Sequence, residues 1–297
     1  MIEKNSIKAW LLAARPKTLA GAATPVLIGC AFAYAAGVFQ WGPALLCFLF
    51  AFLMQIDANF INDLFDYLKG ADTGERLGPE RACAQGWITP GAMKAGILIT
   101  TLCASLSGLC LLYYAGPELI AVGVVCVLFA FLYTAGPYPL AYHGWGDLLV
   151  VWFFGLVPVG ATFYTMAHGL DFQVILGGLA CGLVVDTLLM VNNYRDREQD
   201  AKNGKKTLAV RLGGRISGWL YFLLGVGAAA LCLLFLTEGN RWAALLPQLY
   251  LLPHYLSWRK MVEIERGKEL NAVLARTSAN MLLFGLLLSV GLIIPVG

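Results

Sequence analysis

The chain has 297 residues, 59% apolar and 13% charged, with a net charge of +3 and a mean hydropathy of +0.71. Ordinary globular domains carry roughly 45–50% apolar and about 25% charged residues, so this composition excludes a soluble fold, a disordered chain and a disulfide-stapled secreted scaffold. Three scattered histidines (His143, His168, His254) and the small net charge point away from a histidine metal site and from nucleic acid. The eight cysteines form no CxxC pair and read as small hydrophobic residues.

A helix needs about 20 mostly apolar residues to cross the hydrocarbon core, and within lipid every backbone polar group must be paired inside its own segment. Nine runs meet this requirement, at approximately 18–37, 43–66, 93–113, 118–135, 145–167, 172–194, 216–236, 241–259 and 276–296. No strand-like alternation competes with them. The first run is followed by no small-residue cleavage signal and reads as helix one of the mature protein. Gly178 and Gly182 form a small-xxx-small pair that signals close helix contact, and tryptophans such as Trp10, Trp41, Trp87, Trp145 and Trp242 near the run ends suit an interfacial belt.

Numbering the connections in order places 20 of the 21 Lys and Arg residues on the side of the N-terminus, with Arg241 alone opposite. By the positive-inside rule this side is cytoplasmic. The end of run two, Asn59-Phe-Ile-Asn62-Asp63-Leu-Phe-Asp66, echoes the end of run six, Asn192-Asn193-Tyr-Arg195-Asp196-Arg-Glu-Gln-Asp200. Four crossings separate them, so both emerge on the same face and can close on one cavity. The expected fold is all-α: nine transmembrane helices in two four-helix pseudo-repeats plus one, a single domain over 1–297.

On a helix Asn59, Asn62, Asp63 and Asp66 share one stripe, and Asn192, Asp196 and Asp200 form a second with Asn193 beside it. Asp72 can fold back toward the first across a Lys69-Gly70 turn. Two carboxylates 4 Å apart repel by about 4 kcal/mol at an effective dielectric near 20, so a cation between them is the economical explanation. Carboxylate and amide oxygens are hard ligands that suit Mg²⁺ shared with substrate phosphates. Lys69, Arg76, Arg195, Lys205 and Arg211 sit beside the acids and can grip an anion. An anion held by metal and basic groups at the mouth of a lipid-facing cavity suggests a diphosphate on a hydrophobic tail, and the matching chemistry is ionisation of its allylic carbon.

The stretches Asn62 to Thr73 and Asn192 to Gly213, the second with its Gly204-Lys-Lys-Thr207 segment, together resemble the UbiA superfamily of intramembrane prenyltransferases. Ala14-Arg15-Pro16-Lys17-Thr18, Tyr133-Thr-Ala-Gly136 and Gly144-Trp-Gly146-Asp147 add to the likeness, which spans nearly the whole chain and is strongest to the branch that prenylates 1,4-dihydroxy-2-naphthoate. The resemblance implies a central cavity open to lipid, with acidic motifs over 59–73 and 192–213. It assigns Asn62, Asp66, Asp72, Asp196 and Asp200 to Mg²⁺, with Asp66, Asp196 and Asp200 catalytic. Asn62, Lys69, Arg76, Asn192, Asn193, Arg195 and Lys205 are expected to bind substrate. Asp63 matches the motif less closely.

Polyprenyl transfer to the naphthoate with loss of CO₂, giving a demethylmenaquinone, is the implied reaction. The implied partners are a polyprenyl diphosphate, an aromatic acceptor and membrane lipid, with no nucleic acid and no partner protein; a bacterial inner membrane is the expected location. The chain departs from the branch after Arg81, where it reads Ala-Cys-Ala-Gln-Gly-Trp-Ile, and it has no lysine between runs four and five, a charge Arg195 or Lys205 can supply. Asp186 lies two turns from Asn193 on nearly the same face and is a further substrate-contact candidate. Asp147 suits either proton abstraction or a helix N-terminus, and Asp57, opposite Asp66, suits pairing with another helix. Other aromatic acceptors, 4-hydroxybenzoate or homogentisate, stay open, as does a transporter.

Overall fold

Chain length in the helices, set against bilayer thickness, determines where the polar chemistry can sit. A computed structural model describes residues 2–70 and 77–295, and these are helical with no strand among them. A short helix α1 (Ile7–Ala14) starts on a Ser6 cap and precedes α2 (Leu19–Ala35). Then follow α3 (Trp41–Leu68), α4 (Pro90–Leu111) and α5 (Glu118–Thr134). Next, α6 (Gly146–Val151) passes through a π-helical segment, Trp152–Leu156, into α7 (Val157–Ala167), and α8 (Phe172–Lys202) and α9 (Leu208–Cys232) come after it. The chain ends in α10 (Arg241–Leu245), α11 (Leu251–Ile264) and α12 (Leu270–Ile293).

Seven helices among the described residues are long and apolar enough to cross a membrane, which makes this an integral membrane protein. Two of the nine expected spans differ. α5 has 17 residues, and the 241–259 run folds as α10, a 3₁₀ segment over Leu246–Tyr250 and α11. Pro247 and Pro253 cannot donate the backbone bonds of a continuous helix. Gln248 compensates, its Nε2 donating to the carbonyls of Ala229 and Ala244, both at 2.8 Å. Lipid-facing surface is plain on α4, where Leu98, Leu102 and Leu106 at four-residue spacing are exposed while Met93, Ile97 and Ala104 are buried.

The two longest helices carry the two acidic motifs. α3 (28 residues) and α8 (31 residues) measure about 42 Å and about 46 Å at 1.5 Å per residue, so each overhangs a hydrocarbon core about 30 Å thick. The apolar run ending near 194 therefore underestimates α8, which continues to Lys202 because its polar end lies beyond the lipid.

The loops on the cation-rich side meet at one end of the bundle. Asn5 N–H donates to Trp87 O, Lys206 N–H to Tyr142 O, and Asn271 Nδ2 to Leu77 O. Arg197 reaches Glu265 O, and Arg266 pairs with Glu198 at 2.9 Å. At the opposite wall of α8, a Cβ on Gly155 would fall 2.5 Å from both Gly178 O and Gly182 Cα, and one on Gly182 would fall 2.6 Å from Val151 O. Only glycine permits this approach, and it seats the π-helical segment directly against α8.

Candidate active site

Asn62 and Asp66 lie in the last two turns of α3 and Asn192, Asp196 and Asp200 in the last three of α8. A carboxylate near a helix C-terminus faces the negative end of the macrodipole and is disfavoured there unless cations answer it. For Asp66 they do. Its Oδ2 meets Arg81 at 3.3 Å and Lys205 at 3.5 Å, and its Oδ1 accepts from the Tyr142 hydroxyl at 2.9 Å.

The Tyr142 ring packs against two ammonium groups, Lys69 Nζ and Lys205 Nζ each 4.7 Å from its centroid. Lys69 Nζ also donates to Thr134 O at 2.5 Å, and Thr134 itself donates to Asn62. Burial lowers the Lys69 pKa below the usual lysine value; Asp66 offsets part of that shift and Lys205 adds to it.

On α8, Arg195 holds Asp196 with two nitrogens, Nε to Oδ1 at 2.7 Å and Nη2 to Oδ2 at 2.6 Å. Nη2 also donates to Asn192 Oδ1 at 2.6 Å, and Nη1 to Asn271 Oδ1 at 2.7 Å. This buried guanidinium ties the second motif to α12, and through Asn271 to the segment at Leu77. Arg195 lines neither cavity described below, so its position is that of a buttress behind Asp196.

Two adjoining cavities open between these helices. A polar chamber of about 490 Å³ is lined by Asn62, Asp66, Asn192, Asn193, Asp196, Asp200 and Lys205. An apolar chamber of about 960 Å³ is lined by such residues as Phe50, Met54, Cys126, Phe129, Phe153 and Leu188. Arg15, Lys17, Asn62, Arg81, Tyr133 and Asn192 line both, so the two are continuous.

The structure divides the residues of the α3 stripe. Asn62 and Asp66 face the polar chamber, whereas Asn59 Nδ2 donates to Ala14 O and Thr18 Oγ1, both at 3.0 Å. Asp63 accepts from the backbone N–H groups of Ala82 and Cys83 at 2.8 and 2.9 Å, fastening the turn that carries Arg81. Asp57 accepts from Thr100 and Thr101 of α4 at 2.5 and 2.7 Å. Asp186 is buried in α8 and lines neither chamber. Asp72 and Arg76 lie outside the described residues.

Sequence reasoning missed Arg15, Lys17, Arg81, Tyr133 and Tyr142 as lining groups. Arg15 and Lys17 stood in a recognised segment, but only the Arg15 backbone, at φ 52° between α1 and the turn into α2, brings that segment to the cavity. Tyr142 had no signal, since its role comes from packing against residues 63 to 76 positions away.

Oxygen donors on facing walls suit a hard divalent ion. Among the described residues no three Asp, Glu, His or Cys side chains converge as a metal cage. That fits an ion held by one or two protein carboxylates and completed by phosphate oxygens, the usual manner for Mg²⁺. Asn62 and Asp66 on α3, and Asn192, Asp196 and Asp200 on α8, are the oxygen-bearing side chains that line this chamber.

A family model described as the UbiA prenyltransferase family matches residues 22–291. The chain belongs to the UbiA prenyltransferase family. Among curated UbiA relatives, the 1,4-dihydroxy-2-naphthoate octaprenyltransferase of Haemophilus influenzae is 36% identical over 98% of this chain and 97% of that protein. The protein of the same name from Escherichia coli is 41% identical over 69% of each chain. In fold, a UbiA homolog from Archaeoglobus fulgidus solved with GPP and Mg²⁺ superposes with a TM-score of 0.64, at 14% identity and covering 96% of this chain and 99% of that one. This UbiA-family protein is thus a membrane prenyltransferase with the two-motif cavity described above.

Proposed function

We propose that this protein transfers a polyprenyl group from its diphosphate to 1,4-dihydroxy-2-naphthoate in an Mg²⁺-dependent reaction, with loss of the ring carboxylate as CO₂. The observation that carries it is the continuity of a polar chamber walled by both Asn/Asp motifs with an apolar chamber large enough for an isoprenoid tail. Relatives named for this activity from Haemophilus influenzae and Mycobacterium tuberculosis, each 36% identical, support the choice of acceptor.

The diphosphate sits in the polar chamber, where Lys205 and Arg81 reach it from the side of Asp66, with Lys69 behind Tyr142. Mg²⁺ would be held with it by oxygens drawn from Asn62, Asp66, Asn192, Asp196 and Asp200, one or two carboxylates at a time, and would supply neutralisation of charge on the leaving diphosphate. The apolar chamber takes the tail and keeps water from the allylic carbon. The whole chain acts as one domain. We read the chamber mouth as opening on the cytoplasmic side of a bacterial inner membrane, and the strong bias of cations to one face supports the cytoplasmic orientation.

Purified protein in detergent, given labelled polyprenyl diphosphate, Mg²⁺ and in turn dihydroxynaphthoate, 4-hydroxybenzoate and homogentisate, tests this. The apolar labelled product is expected with the naphthoate, lost in EDTA and restored by Mg²⁺. Product with 4-hydroxybenzoate or homogentisate in its place would reassign the acceptor. Absence of diphosphate release with all three would leave a transporter as the better account.

A further inference from the structure

The mechanism above leaves one buried acidic pair unused. Asp147 opens α6 and is about nine-tenths buried, at 7% exposure, yet lines the polar chamber. Both its carboxylate oxygens are buried and accept no hydrogen bond. Asp186 of α8, at 3% exposure, lies within its electrostatic reach and has one oxygen in the same condition.

Buried polar atoms left without hydrogen bonds are rare in native structures, and each costs about 1–3 kcal/mol. Two such oxygens on Asp147, a carboxylate that lines the chamber, indicate a group that arrives with the substrate. Their location agrees. A Cβ on Gly146 would lie 3.2 Å from the Tyr133 hydroxyl and 3.3 Å from Leu189, so the start of α6 abuts both residues. Tyr133 and Leu189 line both chambers. Asp147 therefore stands where the diphosphate end of one substrate gives way to its tail, beside the allylic carbon that an acceptor ring must reach.

We infer that Asp147 is a catalytic residue that accepts the proton of the acceptor's ring hydroxyl, and that Asp186 is a positioning residue acting through Asp147. This rests on the aromatic-acceptor function proposed above. In the step, the acceptor O–H bond breaks and its proton goes to an Asp147 oxygen. The freed electron pair moves into the ring, and the adjacent ring carbon that bears the carboxylate bonds to the allylic carbon. The allylic C–O bond breaks, its electron pair leaving on the diphosphate. Loss of CO₂ then returns an electron pair to the ring and its oxygen, and Asp147 gives the proton back. A proton shared with Asp186 relieves the repulsion of two like charges buried together.

Full-length protein in detergent provides the test, using Asp147→Asn, Asp186→Asn and Asp186→Glu, which keep size or charge. With dihydroxynaphthoate, Asp147→Asn is expected to lower kcat by about 100-fold or more, the usual contribution of a positioned base. Its affinity for polyprenyl diphosphate should be unchanged, and an acceptor analogue whose hydroxyl is already ionised at the assay pH should recover most of the rate. Asp186→Asn should lower kcat with the acceptor KM unchanged, and Asp186→Glu should restore part of it. A folded Asp147→Asn protein with normal kcat, or one equally slow on both acceptors, would overturn the assignment.

A second arm uses only the wild-type protein. The methyl ether of the acceptor hydroxyl next to the carboxylate has no proton to give and should be inert; its transfer at full rate would overturn the assignment even if the variants did not fold. Wild-type protein that prenylates no aromatic acid at all would instead refute the proposed function, and this step with it.

Discussion

The Tyr142 hydroxyl donates to Asp66 at 2.9 Å across 76 residues of sequence, joining the loop after α5 to the acidic end of α3. That bond aligns a carboxylate that Arg81 and Lys205 approach from its other oxygen, while Lys69 and Lys205 both pack over the same ring.

Tyr142→Phe keeps the ring against the two lysines and deletes only the hydrogen bond. A bond to a charged group is worth about 1.5–3 kcal/mol, so kcat/KM for polyprenyl diphosphate should fall by roughly 10- to 100-fold. Tyr142→Ala should fall further, since it also removes the surface on which both ammonium groups rest. Steady-state kinetics in detergent separates the two variants, and equal rates for Phe and Ala would show that the ring contributes nothing.

On the proposed function, Lys205 supplies the cation that the connection between α5 and α6 lacks. Lys205→Met should raise the KM for polyprenyl diphosphate by about tenfold or more, with Lys205→Arg retaining most of the affinity, because one ammonium-to-anion contact is lost in the first and kept in the second. Binding of a non-hydrolysable diphosphate analogue checks this without relying on turnover. Arg195→Gln should behave differently. It loosens Asp196, Asn192 and Asn271 together, so it should lower thermal stability as well as activity.

Asp66→Asn and Asp196→Asn should each reduce turnover by more than about 100-fold at saturating Mg²⁺, while the detergent-solubilised bundle keeps its helix content by circular dichroism. Full activity in either variant would remove that residue from the metal site. Asp63→Asn is the internal contrast. It weakens two bonds that hold the turn at Ala82 and Cys83, so its effect should appear first in stability and in placement of Arg81.

Gly182→Ala forces a methyl group to within 2.6 Å of Val151 O. Backbone cannot yield as a flexible side chain does, so the variant should lose about 1–3 kcal/mol of stability. A fall in the detergent melting temperature checks it, and an unchanged melting temperature would mean that α6 and α8 can separate without cost.

Composition and hydrophobic run length were enough to specify a helical membrane protein, and the one-sided cations placed both Asn/Asp motifs at the same end of it. Those features are local: a helix in lipid satisfies its own backbone, and residues three and four apart share a face wherever the helix lies. The same rule could not say which members of a stripe face the polar chamber. Asn59 and Asp63 share the α3 stripe with Asn62 and Asp66, but the first pair is taken by Ala14, Thr18 and the Ala82–Cys83 turn. Likewise, the broken 241–264 segment depends on Gln248 meeting a carbonyl of α9. Arg195 serves as a buttress, and Tyr142 as a wall, only because α12 and the loop after α5 arrive beside them. Contacts between residues 19 to 76 positions apart are decided by packing of whole helices, which no local pattern along the chain encodes.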